Sequence, residues 1–555
     1  MNRATNVSTT PSLNWRAVCA LIALAPAWAH AQSQTAPVLP PAADPSVQEQ
    51  DRARREKLLQ QREEAAPAAA TGATAGAGEE DAGAAFVLQR VRFTPSRHLS
   101  REQLTALAQP YVGRSVHLRD LQALVTQINK LYRQLGIFTA AATLPEQQVK
   151  DGGVVIQLVE GRLGQVMVEK NVYLDSGYVQ QWVHGMEAGG DVDAQKLEGD
   201  VARFNRVNDA KLQAALRAGQ DFGKTDLVLA VDEPARNSGQ VFADNYGYKS
   251  SGRTEAGIVL RRQKVLLDGD RGIVYALATQ GTRSLSLSYN AAVGASGWRL
   301  GANASANRTK MVAGDFRAID VKGSGSSFGL DASDLVYSGG SLWLNVVGGL
   351  QYNDSSNDVR DAAVSHYGIT RASAGVAMTT MGDGWQWSLS PTLTHAHAQN
   401  KLLPAQDVDV ELFSGDSTLV YRLGKDGWYG LGQLNWQLAS RKSLPGALAF
   451  SVGGPVNVRG YESGQISGDE GAVASAELHY DGWTPQGTRL DLFGFLDTSE
   501  VHSVSATVHP TAAGLGLTWG GWHDLSLSLV AGRGLRGVVP DQRRWNGYAR
   551  LSWSF

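Results

Sequence analysis

From residue 239 to residue 555 the chain alternates between apolar and small polar side chains. Trp298, Leu300, Ala302, Ala304 and Ala306 alternate with Arg299, Asn303 and Ser305. Trp385, Trp387, Leu389 and Leu393 alternate with Gln386, Ser388, Ser390 and Thr394, and Leu525, Leu527 and Leu529 with Ser526 and Ser528. A period of two places an apolar, aromatic face opposite a polar one along each strand. Gly, Asn, Asp and Ser separate the stretches, as turns require. In a soluble sandwich the apolar face would point inward at a second sheet. In a lipid-embedded barrel it would point outward, and the polar face would line a wet lumen. The last strand carries Ala549, Leu551, Trp553 and Phe555 on one face and Arg550, Ser552 and Ser554 on the other. Sixteen strands would use about 20 residues each, about 10 of them crossing the bilayer, whereas eight would demand very long loops.

Residues 86–160 follow a different rule. Phe86, Leu88, Val91 and Phe93 indicate a strand, and Ser100 with Gln103 forms a capping box for a helix carrying Leu104, Leu107 and Tyr111. Leu118, Leu121, Leu124, Val125, Ile128, Leu131 and Leu135 recur at helical spacing until Gly136. Strands at 137–144 and Val154–Val159 complete a β-α-α-β-β module. Residues 161–234 repeat that order without repeating the residues: strand 164–171, helical patches near 175–185 and 194–207, strands 210–217 and 225–232. Residues 46–64 precede both modules. Glu49, Asp51, Glu56, Glu63 and Glu64 are interspersed there with Arg52, Arg54, Arg55, Lys57 and Arg62, and only Val47, Leu58 and Leu59 are apolar. A helix polar all round is either solvated or housed in a water-filled channel. At 1.5 Å per residue it is about 28 Å long, close to a bilayer's hydrocarbon thickness. The Ala/Gly/Thr-rich stretch 65–85 reads as a flexible linker.

Residues 1–31 read as a secretory signal peptide. Arg3 and Arg16 lead into the apolar stretch Ala17–Trp28, which ends at Ala29-His30-Ala31. Cys19, the one cysteine of the sequence, lies within that stretch, so a mature chain beginning near Gln32 would have no disulfide. Lys and Arg number 51 against 53 Asp and Glu, a balance of −2 that gives no general basic footprint for nucleic acid. No apolar run beyond residue 31 is long enough for a transmembrane helix, which leaves a large secreted protein or a membrane protein crossing with strands.

Several short motifs then narrow the choice. Leu144-Pro145-Glu146-Gln147, followed by Val159-Glu160-Gly161-Arg162-Leu163-Gly164, resembles the junction between two POTRA domains of the haemolysin-secretion/activation family, the outer-membrane transporters of two-partner secretion within the Omp85 superfamily. Asn245-x-Gly247-x-x-x-Ser251-Gly252 resembles that family's first barrel strand. Gly453-Gly454-x-x-x-Val458-Arg459-Gly460-Tyr461 resembles the tip of its long sixth extracellular loop, and Phe495-x-Asp497 its inner-wall motif, with Ser499 where the family has Gly. The resemblance implies a transmembrane β-barrel of sixteen antiparallel strands (239–555) behind two periplasmic α/β POTRA domains (86–160 and 161–234) and an N-terminal plug helix (46–64). It also implies a loop lock built from Val458, Arg459, Gly460, Tyr461, Phe495 and Asp497, and a barrel-assembly signal at Phe555 read by the assembly machinery. The implied partners are a large secreted exoprotein with an N-terminal secretion domain and outer-membrane lipid, with no nucleic acid, cofactor, metal or enzymatic activity. A barrel-assembly factor of the same superfamily and a passive porin are the alternatives. An Arg in a lumen is unfavourable unless paired, so Arg459 with Asp497 is a sharp expectation against two unrelated solvated charges.

Three further motifs match chemistry only by spacing. Gly532-x-Gly534-x-x-Gly537 fits a dinucleotide fingerprint, but Val538-Val539-Pro540-Asp541 follows where a helix is required, so it reads as a loop. Gly325-x-Ser327-x-Gly329 fits a nucleophile elbow and likewise reads as a loop. His395-x-His397 lacks a nearby third ligand and reads as lumenal or loop histidines.

Overall fold

The computed structural model describes residues 44–65, 85–137, 139–221, 223–424, 426–538 and 542–555. The expected signal peptide 1–31, and all of the expected linker except its end residues, lie outside the described residues.

Residues 237–554 form a closed antiparallel barrel. Its sixteen strands run from Asn237–Asp244 to Trp545–Ser554, with a two-residue piece, Thr507–Val508, laid beside the thirteenth. The last strand pairs with the first from Arg550 opposite Asp244 to Ser554 opposite Gln240. Phe555 extends this seam: its N–H donates to the Gly239 carbonyl at 2.9 Å and its carbonyl accepts from the Gly239 N–H at 2.7 Å. A side chain at 239 would meet the Phe555 ring, so glycine is what lets the terminal aromatic close the cylinder.

The faces decide between the two readings of the alternation. Leu285, Leu287, Leu300, Leu330, Leu350 and Leu393 all stand exposed on the outside of the cylinder. A water-soluble sandwich would bury them; in a bilayer they meet hydrocarbon. Trp298, Tyr337, Tyr421, Trp428, Trp483 and Trp553 are also exposed, and all lie at strand ends on the side where the N-terminal modules attach, an interfacial aromatic girdle.

The two modules share one topology. In the first, Arg90–Phe93 runs parallel to Gly153–Glu160, which pairs antiparallel with Ala140–Thr143. In the second, Arg162–Glu169 runs parallel to Lys224–Asp232, which pairs antiparallel with Lys211–Ala218. Helices Arg101–Ala108 and Leu118–Gln134 cover the first sheet, burying Leu104, Leu124 and Ile128. The Ser100–Gln103 capping box starts the shorter one. Helices Ser176–Gln181 and Ala194–Val207 cover the second, with Trp182 edge-on to Phe204 at 5.6 Å. Arg206 clips the second module to the barrel: it donates to the Gly339 carbonyl at 2.6 Å and stacks over Trp343.

The N-terminal helix spans Pro45–Ala65, one residue longer at each end than its pattern indicated. Asp44 caps it, accepting from the Ser46 N–H at 2.9 Å, with Pro45 in the first turn. Its surroundings resolve the choice left open by its composition, because Val47, Leu58, Arg52 and Arg55 are buried inside the barrel. At 1.5 Å per residue, its 21 residues give about 31 Å of rod within the lumen.

Glu160 ties the first module together. Its carboxylate accepts from the Arg97 N–H at 2.8 Å, the Tyr132 hydroxyl at 2.9 Å and the Ser96 hydroxyl. Burial alone would raise its pKa, yet these donors hold it below the ordinary glutamate value, while burial pushes the Tyr132 hydroxyl well up so that it stays a donor. A carboxyl with a depressed pKa stabilises the fold above its unfolded value and loses that contribution as pH falls below it. Glu160→Gln is therefore expected to cost about 1–3 kcal/mol at neutral pH. The difference from wild type should shrink as the pH drops below about 4.5. Thermal melts of the full chain against pH check this; a pH-independent difference would contradict it.

Candidate functional site

Residues 440–469, between the eleventh strand (Trp428–Ala439) and the twelfth (Glu470–Trp483), fold back into the lumen. A short hairpin, Phe450–Val452 with Ile466–Gly468, forms the stem. Phe450, Val452, Ile466 and Val473 pack together at its base. At the tip the chain turns sharply: Val458 takes a φ of 43°, the Tyr461 N–H donates to the Val458 carbonyl at 3.1 Å, and Asn457 accepts from the Gly453 N–H at 2.8 Å. A β-branched residue in the left-handed region is strained and persists only where its surroundings fix it. Here Val458 is fully buried.

Arg459 is what fixes it. The side chain has 0% exposure. Its Nε donates to Asp497 Oδ2 at 2.9 Å and its Nη2 to Asp497 Oδ1 at 2.6 Å, a forked pair from the thirteenth strand, Arg489–His502. The Arg459 backbone N–H adds a third bond to Asp497, at 3.0 Å. Nη1 reaches Glu477 Oε1 at 2.9 Å and Nη2 reaches Ser475 Oγ at 2.9 Å. Phe495 supplies the floor, with the guanidinium carbon 3.6 Å above its ring centroid. Strand register explains the convergence: Ser475 lies opposite Asp497, and Glu477 opposite Phe495. All four side chains therefore share the inner face of two adjacent strands.

The rest of the tip is seated as tightly. Gly460 lies against the backbone of Arg533 and Gly534, and Gly532 against the Arg459 carbonyl, at separations that leave no room for a Cβ. Asn546 Nδ2 donates to the Gly460 carbonyl at 2.7 Å, and the Tyr548 hydroxyl to the Tyr461 carbonyl at 2.7 Å. Tyr461 is fully buried and its hydroxyl donates to the Arg536 carbonyl at 2.8 Å. The Gly532-x-Gly534 pair thus ends a barrel strand and admits the loop tip. No helix follows it among the described residues, although Val539–Asp541 lie outside them.

The N-terminal helix fills the other part of the lumen through polar contacts on all sides. Arg55 donates to Glu255 at 2.8 Å, and Glu56 accepts from Arg550 at 3.0 Å. Glu49 accepts from Ser284 and Ser286, both at 3.0 Å. Lys57 pairs with Asp416 on the opposite wall. Asp51 touches the loop directly, accepting from Ser451 at 3.1 Å, and Arg54 lies over Phe450.

Several expectations need correcting. Gly325–Gly329 lies within the strand Val321–Ser338, not in a loop, and Ser327 Oγ is hydrogen-bonded to Ser305 Oγ at 2.8 Å. His395 and His397 share the outward side of their strand with exposed Leu393, while Ala396 and Ala398 take the buried side. Each histidine faces a carboxylate, Glu411 or Asp409. Asn245 to Gly252 follow the first strand instead of forming it; Asn245 stitches the seam by accepting from the Ala549 N–H at 2.9 Å. Ser475 and Glu477 were missed, although Ser475-x-Glu477 and Phe495-x-Asp497 both carry the period-two signal.

Removing Asp497 leaves a buried, underpaired guanidinium, a change of about 3–5 kcal/mol. Asp497→Ala should release the loop tip and expose 453–461 to protease added to intact cells, while the barrel still assembles. Gly532→Val should do the same by steric exclusion of the tip. A loop as protected as wild type in both variants would contradict this placement.

Comparison with known proteins matches residues 223–520 to the family described as haemolysin secretion/activation protein ShlB/FhaC/HecB, and residues 86–161 to the ShlB-type POTRA domain. The outer membrane transporter CdiB of Escherichia coli O6:K15:H31 (strain 536 / UPEC) is 27% identical over 488 residues, 83% of this chain and 80% of that protein. The heme/hemopexin transporter protein HuxB of Haemophilus influenzae (strain 86-028NP) is 23% identical over 394 residues, 68% of this chain and 69% of that protein. The solved structure of CdiB from Escherichia coli superposes with a TM-score of 0.65 at 23% identity, covering 93% of this chain and 99% of that one. With its POTRA modules, sixteen-stranded barrel and lumenal loop in place, the chain belongs to the haemolysin secretion/activation family, the outer-membrane translocators of two-partner secretion.

Proposed function

We propose that this translocator passes one large exoprotein outward in an extended state, and that the helix Pro45–Ala65 and the 440–469 loop are the two occupants that must yield to it. The observation that carries this reading is that both fill the same lumen through polar and charged contacts. A polar plug in a polar channel exchanges its contacts for water at modest cost, whereas an apolar plug would not leave. Arg459 and Asp497 form the lock of the loop, and Val458, Gly460, Tyr461 and Phe495 shape its seat. The tether 65–85 lets the helix depart without detaching.

The modules face the periplasm and receive the exoprotein's N-terminal secretion domain. In the second module Lys211–Ala218 is an edge strand with mostly exposed side chains, a surface suited to β-strand addition. Folding of the passenger outside the cell gives the movement its direction. Residues 1–31 direct the chain out of the cytoplasm and are removed, and Phe555, exposed at the seam, is the end read by the barrel-assembly machinery. The exposed leucines of the wall contact outer-membrane lipid. The name of the relative HuxB points to a heme- or hemopexin-binding passenger as one class to test.

Deleting residues 44–65 should turn a mostly closed channel into one of large, frequent conductance in planar bilayers; a conductance unchanged by the deletion would mark a passive porin. Arg459→Ala, which frees the loop from its seat, should raise the channel's open fraction by at least about tenfold, the effect of losing roughly 1.4 kcal/mol or more. An open fraction no higher than that of wild type in that variant would refute the lock.

A further inference from the structure

The turn between the second barrel strand, Glu255–Gln263, and the third, Arg271–Ala278, lies on the module side of the barrel. Exposed apolar clusters mark contact surfaces. This turn reads Val265-Leu266-Leu267, with Leu266 76% and Leu267 55% exposed. A single carboxylate holds it. Asp270, itself buried, accepts from the backbone N–H of Val265 at 2.6 Å, Leu266 at 2.8 Å and Leu267 at 2.7 Å. The loop after the first strand of the second module repeats the device. There Glu233 accepts from the N–H of Val172 at 3.1 Å, Tyr173 at 2.8 Å and Leu174 at 2.9 Å, and Val172 is 86% exposed.

The two loops form one platform. Lys264 Nζ donates to the Tyr173 carbonyl at 2.7 Å and pairs with Asp268 at 2.8 Å, and Asp268 accepts from the Asp175 N–H at 3.0 Å. The platform leans on the outer wall of the barrel. Gly272 precedes exposed Val274 by two positions and Tyr289 follows exposed Leu287 by two, so both lie on the lipid side, opposite one another in register. A Cβ at Gly272 would come within 3.3 Å of the turn, 3.1 Å from Val265 Cγ2, and the Tyr289 hydroxyl donates to Asp270 at 2.7 Å. The turn therefore continues the lipid-facing surface past the aromatic girdle. Arg236 and Arg262 are exposed beside it, and both guanidiniums bond neutral groups, the Lys264 carbonyl at 3.3 Å and Asn237 at 3.0 Å.

We propose that this platform is an interfacial anchor: Val172, Leu266 and Leu267 enter the acyl boundary of the periplasmic leaflet and hold the second module against the membrane. Backbone that enters hydrocarbon must satisfy its polar groups within the protein, and Asp270 and Glu233 do so for the six N–H groups at the two tips. Insertion of about 5–10 Å is enough for side chains of this length. Arg236 and Arg262 then lie at the level of the lipid phosphates, with the sign of charge that anionic headgroups attract. Continuity with the lipid-facing wall selects the bilayer as the occupant. The inference rests on the outer-membrane placement of the barrel and is independent of the loop lock and of the exported passenger. Arg206 and Trp343 already clip the module at another place on the rim. A second attachment, through lipid, fixes its tilt at the mouth of the pore.

Site-directed fluorescence on the full chain tests this, with barrel assembly checked by heat-modifiable electrophoresis. In a Cys19→Ser background, which removes the one cysteine of the sequence, Leu266→Cys and Val172→Cys each carry an environment-sensitive dye. The labelled protein is placed in phosphatidylethanolamine/phosphatidylglycerol vesicles, with quencher on both sides. Leu287→Cys on the wall is the lipid reference, and Val504→Cys, exposed in the turn after the thirteenth strand, is the water reference. Nitroxides on the acyl chains should quench the dyes at 266 and 172 at least about threefold more than the dye at 504, and iodide should do the reverse. Dyes at 266 or 172 that iodide quenches as strongly as at 504 overturn the anchor. So does protection from both quenchers, the mark of a site covered by protein. If one of the two variants does not assemble, the other decides. The reference at 287 separates the readings: if it too is open to iodide, the lipid placement of the wall fails, and if it is quenched from the lipid while 266 and 172 are not, only the anchor fails.

Discussion

A guanidinium with no solvent exposure sits against the inner wall of the barrel, and two neighbouring strands are arranged to keep it there. Arg459 receives a fork from Asp497, a second carboxylate from Glu477, a hydroxyl from Ser475 and an aromatic floor from Phe495. Each partner comes from one of two neighbouring strands whose register places them opposite one another. The burial penalty of a charge makes such an arrangement conditional: fully paired it is tolerated, and with a partner missing it is strongly unfavourable. That steepness suits a gate better than a gradual hydrophobic contact would. The strained turn at Val458 and the glycine contacts at 460, 532 and 534 then follow as the geometry needed to bring the arginine to its partners.

The plug helix obeys a different logic. Its contacts are many, polar and spread over almost every side of the wall, from Ser284 to Asp416 to Arg550. Among the described residues, none of its ion pairs is as buried as the Arg459 cluster. Water can replace them one by one, whereas the loop must break several at once. Two occupants of one lumen are thus held in different ways, and Asp51 with Ser451 and Arg54 with Phe450 are where they touch.

The sequence made the strands legible because lipid outside and water inside impose a strict period of two, and the helices of the modules because they bury one face. The location of the helix Pro45–Ala65 was not legible, since a helix polar all round fits bulk solvent and a wet channel equally well. Arg459 and Asp497 were found through motifs. Glu477 and Ser475 were not, because alternation tells which face a residue occupies and not how deep it lies or what stands across from it. Register, fixed only when the barrel closes, supplies that. The same limit put His395 and His397 on the wrong side of the wall, and it hid the use of Gly532-x-Gly534, whose glycines make space for another backbone instead of a phosphate.

The central claim is that Arg459 and Asp497 act as one energetic unit holding the loop in the lumen. A double-mutant cycle on the channel's closed-to-open equilibrium, using Arg459→Ala, Asp497→Ala and both together, measures this most directly. Here the second substitution should add little to the first, with a coupling of about 2 kcal/mol or more, because a broken pair has nothing left to lose. Effects that simply add would show that the two residues act independently, and the lock would be contradicted.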